Sequence, residues 1–261
     1  MTSRRATVIA YHAVGPCGAS DDRHNLFVSV DEFGAQMDYL ARRREVVTLD
    51  DVAASRLPKG KPAVAITFDD GYKSVLRTAG PILERHGFPA TVFVPTGWIG
   101  QRNGWIQPTP CDVEIMDEGE LRAAESLGIR IESHGHAHID YSAVSFDEAR
   151  RDVHASVRCI EEVVGRRPTL FAYPYGHESD EGRQAVADAG MKAAFTIDAR
   201  HAGSLAWGRV QVTPLDGLRL FAIKTSGRYL QLRTAPPVAY AYSAVRPLIR
   251  RLIGAEDRGK T

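Results

Sequence analysis

Ala63-Val64-Ala65-Ile66-Thr67-Phe68-Asp69-Asp70-Gly71-Tyr72 joins an apolar run to two adjacent carboxylates and a glycine. The run reads as a strand, and neighbouring side chains of a strand point to opposite faces. Asp69 and Asp70 can therefore serve one site only where the chain leaves the strand, a bend that Gly71 permits. Two carboxylates that close repel, and one pKa rises unless a cation lies between them. The pair asks for a metal, and Ser133-His134-Gly135-His136-Ala137-His138-Ile139-Asp140 offers ligands for one.

Working outward, extended runs alternate with helical patterns. Strands are expected at Ala6 to Tyr11, Ala63 to Phe68, Ala90 to Val94, Ile129 to Glu132, Leu170 to Tyr173, Ala193 to Ile197 and Arg209 to Val212. Val46 to Leu49 is short and extended, with Asp50 able to cap a small helix after it. Helices are expected from Asp31, with Phe33, Met37 and Leu40 on one face, and over Tyr72 to His86, interrupted by Pro81 and closed by Gly87. Others follow at Glu118 to Leu127, from the Ser145-Phe146-Asp147-Glu148 capping box to about Val164, and at Asp180 to Ala189. A long loop, Pro95 to Asp117, carries Trp98 and Trp105. Such alternation implies a parallel sheet, and barrels built this way carry their sites at the carboxyl ends of the strands. His12, Asp69-Asp70, His134 to His138 and Pro174-Tyr175-Gly176 each follow a strand directly. That shared placement argues that they meet.

Composition bounds the remainder. The 261 residues are 44% hydrophobic and 25% charged, with a net charge of +1, so no global field favours a nucleic-acid partner. Cys17, Cys111 and Cys159 are odd in number and widely spaced, and read as free thiols in a reducing compartment. Arg4-Arg5 precedes only a short apolar run, and no segment reaches the roughly 18–20 apolar residues of a membrane helix. The expectation is a cytoplasmic protein.

His134 and His138 flank small residues that leave both imidazoles room to turn toward one ion. A His-His-carboxylate set suits one divalent transition metal, zinc first, with cobalt, nickel or manganese as alternatives. His136 stands between them as decoy, supporting group or alternative ligand. One aspartate would bind the metal while the other deprotonates water. Each motif alone also has an ordinary reading, a capped strand-to-helix turn or a histidine-rich surface turn.

Thr67-Phe68-Asp69-Asp70-Gly71 resembles the first motif of the polysaccharide deacetylases, carbohydrate esterase family 4 or the NodB-homology domain. The resemblance implies Asp69 as catalytic base and Asp70 as metal ligand. His134-Gly135-His136-Ala137-His138 resembles the second motif, implying His134 and His138 as ligands, with Gly135 where Ser or Thr is usual. Phe171 to Gly176 resembles the third, a groove wall of Tyr173, Pro174 and Gly176 in which the Tyr175 backbone N–H helps hold the oxyanion. Ala172 stands where that motif usually carries an arginine orienting the base, and Arg209 is the candidate replacement. Ile9-Ala10-Tyr11-His12 resembles the permuted arrangement of the poly-N-acetylglucosamine deacetylase branch, implying His12 as the acid that protonates the leaving amine.

The implied fold is α/β, a distorted (β/α)7-type barrel spanning residues 1–230. The implied activity is hydrolysis of N-acetyl groups on an N-acetylhexosamine glycan or glycan precursor. A deformylase or amidase acting on a lipid-linked or small amide substrate is the alternative, and an inactive glycan-binding barrel a second. Trp98, Trp105 and Tyr173 are candidate sugar-stacking residues. Residues 231–261 read as an amphipathic helical extension, with Leu248, Ile249, Leu252 and Ile253 on one face and Arg246, Arg250 and Arg251 on the other flank. That pattern fits either a helix packed on the barrel's side with its arginines solvated or peripheral contact with an anionic inner membrane and a lipid-linked glycan.

Overall fold

The computed structural model describes residues 6–106, 111–197, 203–227 and 229. The chain opens with β1 (Thr7–Tyr11), the short pair β2 (Ala13–Val14) and β3 (Phe27–Val28), and α1 (Val30–Arg43). Ser29 caps α1 by accepting from the Glu32 N–H, and Phe33, Met37 and Leu40 form its buried stripe. β4 (Glu45–Val46), α2 (Leu49–Ala53) and β5 (Ala63–Phe68) follow. The α2 cap is Thr48 rather than Asp50, because the hydroxyl of Thr48 reaches the Asp51 N–H one turn earlier.

The helix expected over Tyr72 to His86 divides at the proline. Val75–Ala79 forms a widened π turn, and α3 (Gly80–His86) begins with Pro81 in its first turn, where the missing N–H leaves no helical bond unmade. Gly87 closes α3 at φ 62°. Then come β6 (Ala90–Val94), α4 (Glu118–Ser126), β7 (Ile129–Ser133), α5 (Phe146–Val164), β8 (Leu170–Ala172), α6 (Asp180–Asp188), β9 (Ala193–Thr196), β10 (Trp207–Gly208), β11 (Val210–Gln211) and α7 (Leu218–Lys224).

Every pairing in the main sheet is parallel, in the order β10-β9-β8-β7-β6-β5-β1-β11, with β4 alongside the start of β5. The two ends of this order are one continuous segment. Trp207 and Gly208 pair with Phe195 and Thr196 of β9, while Val210 and Gln211 pair with Ile9 and Ala10 of β1. Residues 207–211 thus close the barrel as its seventh stave, and Arg209 sits at the crossover with 0% exposure. β1, β5 and β6 are buried throughout, which is why they read as near-continuous apolar runs rather than alternating ones.

The structure corrects two further sequence expectations. Cys17 and Cys111, 94 residues apart, form a disulfide with Cα atoms 5.4 Å apart, leaving Cys159 as the free thiol. Spacing along the chain could not show that the loop after β2 lies against the far end of the Pro95–Asp117 loop. Tyr173 is fully buried rather than lining a groove: its ring packs edge-on against Phe171 and Tyr141, and its hydroxyl donates to the Leu205 carbonyl at 3.0 Å. The expected helix within 231–261 lies outside the described residues. Among those described, no helix is long and apolar enough to cross a membrane.

Candidate active site

Five described non-glycine residues adopt positive φ, and three of them, Asp70 (67°), His138 (57°) and Tyr175 (60°), stand at the carboxyl ends of β5, β7 and β8. This conformation costs a non-glycine residue free energy and persists only where surrounding contacts impose it. At β5 the Asp69 N–H still bonds the Tyr11 carbonyl, and the chain then turns left-handed at both Asp70 and Gly71. Gly71 is required twice over, because its φ is 68° and a Cβ would lie 3.0 Å from Val94. The turn is what brings two successive carboxylates to one side of the barrel.

The carboxylates then have different partners. Asp69 is gripped by Arg209, with Nη1 donating to Oδ1 at 2.6 Å and Nη2 to Oδ2 at 2.7 Å. Arg209 Nη1 also reaches the Thr67 hydroxyl at 3.2 Å, and its guanidinium lies 5.4 Å from the Phe93 ring centroid. Burial pushes the Asp69 carboxyl up, but Arg209, His134 and His12 more than offset it, so the group lies below the ordinary carboxylate range. Arg209 thereby reaches both oxygens of Asp69 from a distant stave.

Asp70 faces the histidines. Its Oδ1 lies 3.5 Å from His134 Nε2 and 3.2 Å from His138 Nε2, with all three residues buried. His134 Nδ1 lies 2.7 Å from the Ala172 carbonyl, which can only accept. Nδ1 therefore carries the proton, and Nε2 presents a lone pair toward Asp70. Asp70 Oδ1 is buried without an aligned hydrogen bond. A carboxylate oxygen and imidazole nitrogens converging without donors is the donor set of a divalent transition cation, and these ligand atoms all lie within 4.8 Å of one another. Burial raises the Asp70 carboxyl, yet its close contacts with the two imidazoles, with His12 nearby, hold it well below its usual range. Burial likewise lowers His138, keeping it neutral and able to ligate.

The remaining candidates divide. His12 is half-buried at the end of β1, its Nδ1 lacks a partner, and it acts electrostatically on both aspartates. Tyr175 is 50% exposed, its ring edge-on to His138 at 4.8 Å. Pro174 and Gly176 are buried beneath it, and a Cβ on Gly176 would lie 2.6 Å from Ile197. His136 is turned away, with Nδ1 2.9 Å from the Thr96 hydroxyl. Trp98 packs under Gly104, where a Cβ would lie 2.2 Å from its ring, and donates to the Ala137 carbonyl at 3.4 Å. It supports the loop rather than standing free at a rim. Trp105 stacks on His138.

Sequence reasoning missed Asp152. This nearly buried α5 residue accepts from the backbone N–H of His136 and Ala137, both at 2.8 Å, and from the Tyr141 hydroxyl at 2.7 Å. A Cβ at position 135 would lie 2.6 Å from its Oδ2, at φ 76°, so the histidine loop wraps around this carboxylate. The available signal was an acidic residue on the largely apolar stripe of α5, beside Ala149, Val153, Val157 and Ile160.

A parallel barrel that gathers buried carboxylates and imidazoles at one end of its staves has the layout of a barrel enzyme. Residues 56–194 match the family model for polysaccharide deacetylase, and the chain belongs to that family. It is 25% identical to the polysaccharide deacetylase homologue YxkH of Bacillus subtilis over 215 residues, 79% of this chain and 71% of that one. It is 26% identical to the poly-beta-1,6-N-acetyl-D-glucosamine N-deacetylase of Staphylococcus aureus over 193 residues, 69% of this chain and 64% of that enzyme, so it spans less than two thirds of the latter. Among solved structures, IcaB from Ammonifex degensii superposes with a TM-score of 0.72 at 25% identity, covering 85% of this chain and 97% of that one. The Streptococcus pyogenes deacetylase PplD superposes at 0.74 with 20% identity, covering 86% and 99%, a likeness of fold.

Proposed function

We propose that this chain is a metal-dependent hydrolase that removes N-acetyl groups from an N-acetylhexosamine glycan, with a β-1,6-linked N-acetylglucosamine polymer as the first substrate to test. The reading rests on one observation: a buried Asp70-His134-His138 donor set beside a second carboxylate, Asp69, that Arg209 keeps ionised. The Staphylococcus aureus relative named for that polymer adds support. Asp70, His134 and His138 would hold one divalent cation, zinc first, which when bound supplies Lewis-acid polarisation and a more acidic water.

The chain's own groups do the rest. Asp69, ionised at neutral pH, accepts the proton of the attacking water. The Tyr175 backbone N–H, in a turn held at φ 60°, donates to the carbonyl oxygen as it gains charge. His12 gives a proton to the departing nitrogen, and its unpartnered Nδ1 leaves it free to do so. The Cys17–Cys111 disulfide supports placing this chemistry in an oxidising compartment rather than the cytoplasm.

The test is acetate release from poly-β-1,6-N-acetylglucosamine and from β-1,4-linked N-acetylglucosamine oligomers, by protein stripped with chelator and then reloaded with zinc, cobalt, nickel or manganese. Metal-dependent acetate release supports the reading. Formate release from a formamido sugar in its place would move the assignment to a deformylase, and no release from any amide would leave a binding barrel.

A further inference from the structure

A histidine that ligates a metal is ordinarily held by a hydrogen bond from its second ring nitrogen. His134 obeys this through the Ala172 carbonyl. His138 does not: its Nδ1 is buried with no hydrogen-bond partner, and its backbone sits at φ 57°. Two aromatic rings contact it instead. Trp105 lies nearly parallel, with centroids 3.8 Å apart and planes 12° apart, and Tyr175 meets it edge-on at 4.8 Å.

Trp105 is itself held in place. The side chain of Asn103, buried at 8% exposure, accepts from the N–H groups of Trp105 at 3.0 Å and Ile106 at 3.1 Å. The amide of Asn103 donates to the Tyr72 hydroxyl, two residues from Asp70. Trp98 packs edge-on against the indole, with centroids 5.5 Å apart and planes at 83°. Trp105, midway along the Pro95–Asp117 loop, is therefore held at its backbone by Asn103 and at its ring by Trp98, with one face on the imidazole that lacks a polar anchor.

We propose that Trp105 is the positioning residue of His138, setting the ring angle of one metal ligand by stacking where a hydrogen bond is usual, and that Asn103 fixes Trp105 for this purpose. The assignment rests on the metal reading of Asp70, His134 and His138. It takes one face of the indole from the sugar-stacking role expected for Trp105, since the face on His138 is not available to a sugar.

The experiment measures zinc affinity by chelator competition on the apo protein, with circular dichroism and thermal melting to confirm folding. Trp105→Leu keeps apolar bulk and removes the flat face, and zinc affinity should fall about tenfold or more, the lower end of what losing a ligand's outer support costs. Trp105→Phe restores a face and should recover most of that loss. Asn103→Ala should weaken zinc binding in the same direction. Wild-type zinc affinity in folded Trp105→Leu overturns the assignment, all the more if KM for the glycan rises, since that is the pattern of a sugar platform. Failure of Trp105→Phe to recover affinity also overturns it. A wild-type protein that binds no zinc overturns the metal reading itself, which separates the two failures.

Discussion

Replacing Arg209 with Met removes a guanidinium that is completely buried and bonds both oxygens of Asp69 at 2.6 and 2.7 Å. Methionine fills comparable volume without charge, so the main change is an uncompensated buried carboxylate. Breaking a buried pair by deleting one partner costs about 3–5 kcal/mol. For a domain of this size about 2–4 °C of melting temperature accompanies each kcal/mol, so Tm should fall by about 6–20 °C at pH 7. The protein can escape part of this cost by protonating Asp69. In the wild type the folded Asp69 carboxyl lies below its unfolded value, so the pair's stabilisation is complete above about pH 4 and is lost as pH falls through the folded value. In Arg209→Met the order reverses, and the acid limb of the pH–rate profile should move upward. Arg209→Lys keeps the charge but loses the two-pronged grip and should fall between. The assay is differential scanning calorimetry beside acetate release from pH 4 to 10. An Arg209→Met protein that melts within about 2 °C of wild type, with its acid limb unmoved, would refute the claim that Arg209 keeps Asp69 ionised.

Three further outcomes are expected. Asp69→Asn should retain stoichiometric zinc and lose turnover, whereas Asp70→Asn should lose zinc first; elemental analysis beside activity distinguishes them, and the reverse pattern would exchange the two roles. Asp152→Ala strips three hydrogen bonds from the histidine loop and should destabilise the fold by about 2–4 kcal/mol, given about 1.5–3 for a single bond to a charged group and incomplete additivity; urea unfolding measures it, and a loss below 1 kcal/mol would remove Asp152 from the loop's support. Reducing the Cys17–Cys111 disulfide, which closes a 94-residue separation, should cost about 2–5 kcal/mol and lower Tm accordingly; identical melts with and without reductant would show the bridge to be absent in solution.

The sequence by itself determined the barrel and most of its site. Buried staves such as β1 and β5 leave apolar runs, and the polar residues after each strand mark its carboxyl end, so Asp69, Asp70, His134, His138 and His12 could be gathered from the sequence. Local chemistry was legible too: the Ser145 cap, the Gly87 stop and the break at Pro81 depend only on neighbouring residues. What the tertiary structure alone decided are the contacts between residues far apart in the chain. Arg209 was nameable from sequence, but only barrel closure carries it 140 positions back onto Asp69. Cys17 meets Cys111, Trp105 meets His138, and Asp152 meets the loop it supports through packing whose partners leave no periodic trace. Tyr173 shows the reverse case. An aromatic next to a groove motif reads as a wall residue, yet strand alternation points its side chain into the packed layer around Phe171 and Tyr141. Periodicity reports which face a residue occupies, and only the folded chain reports what stands opposite.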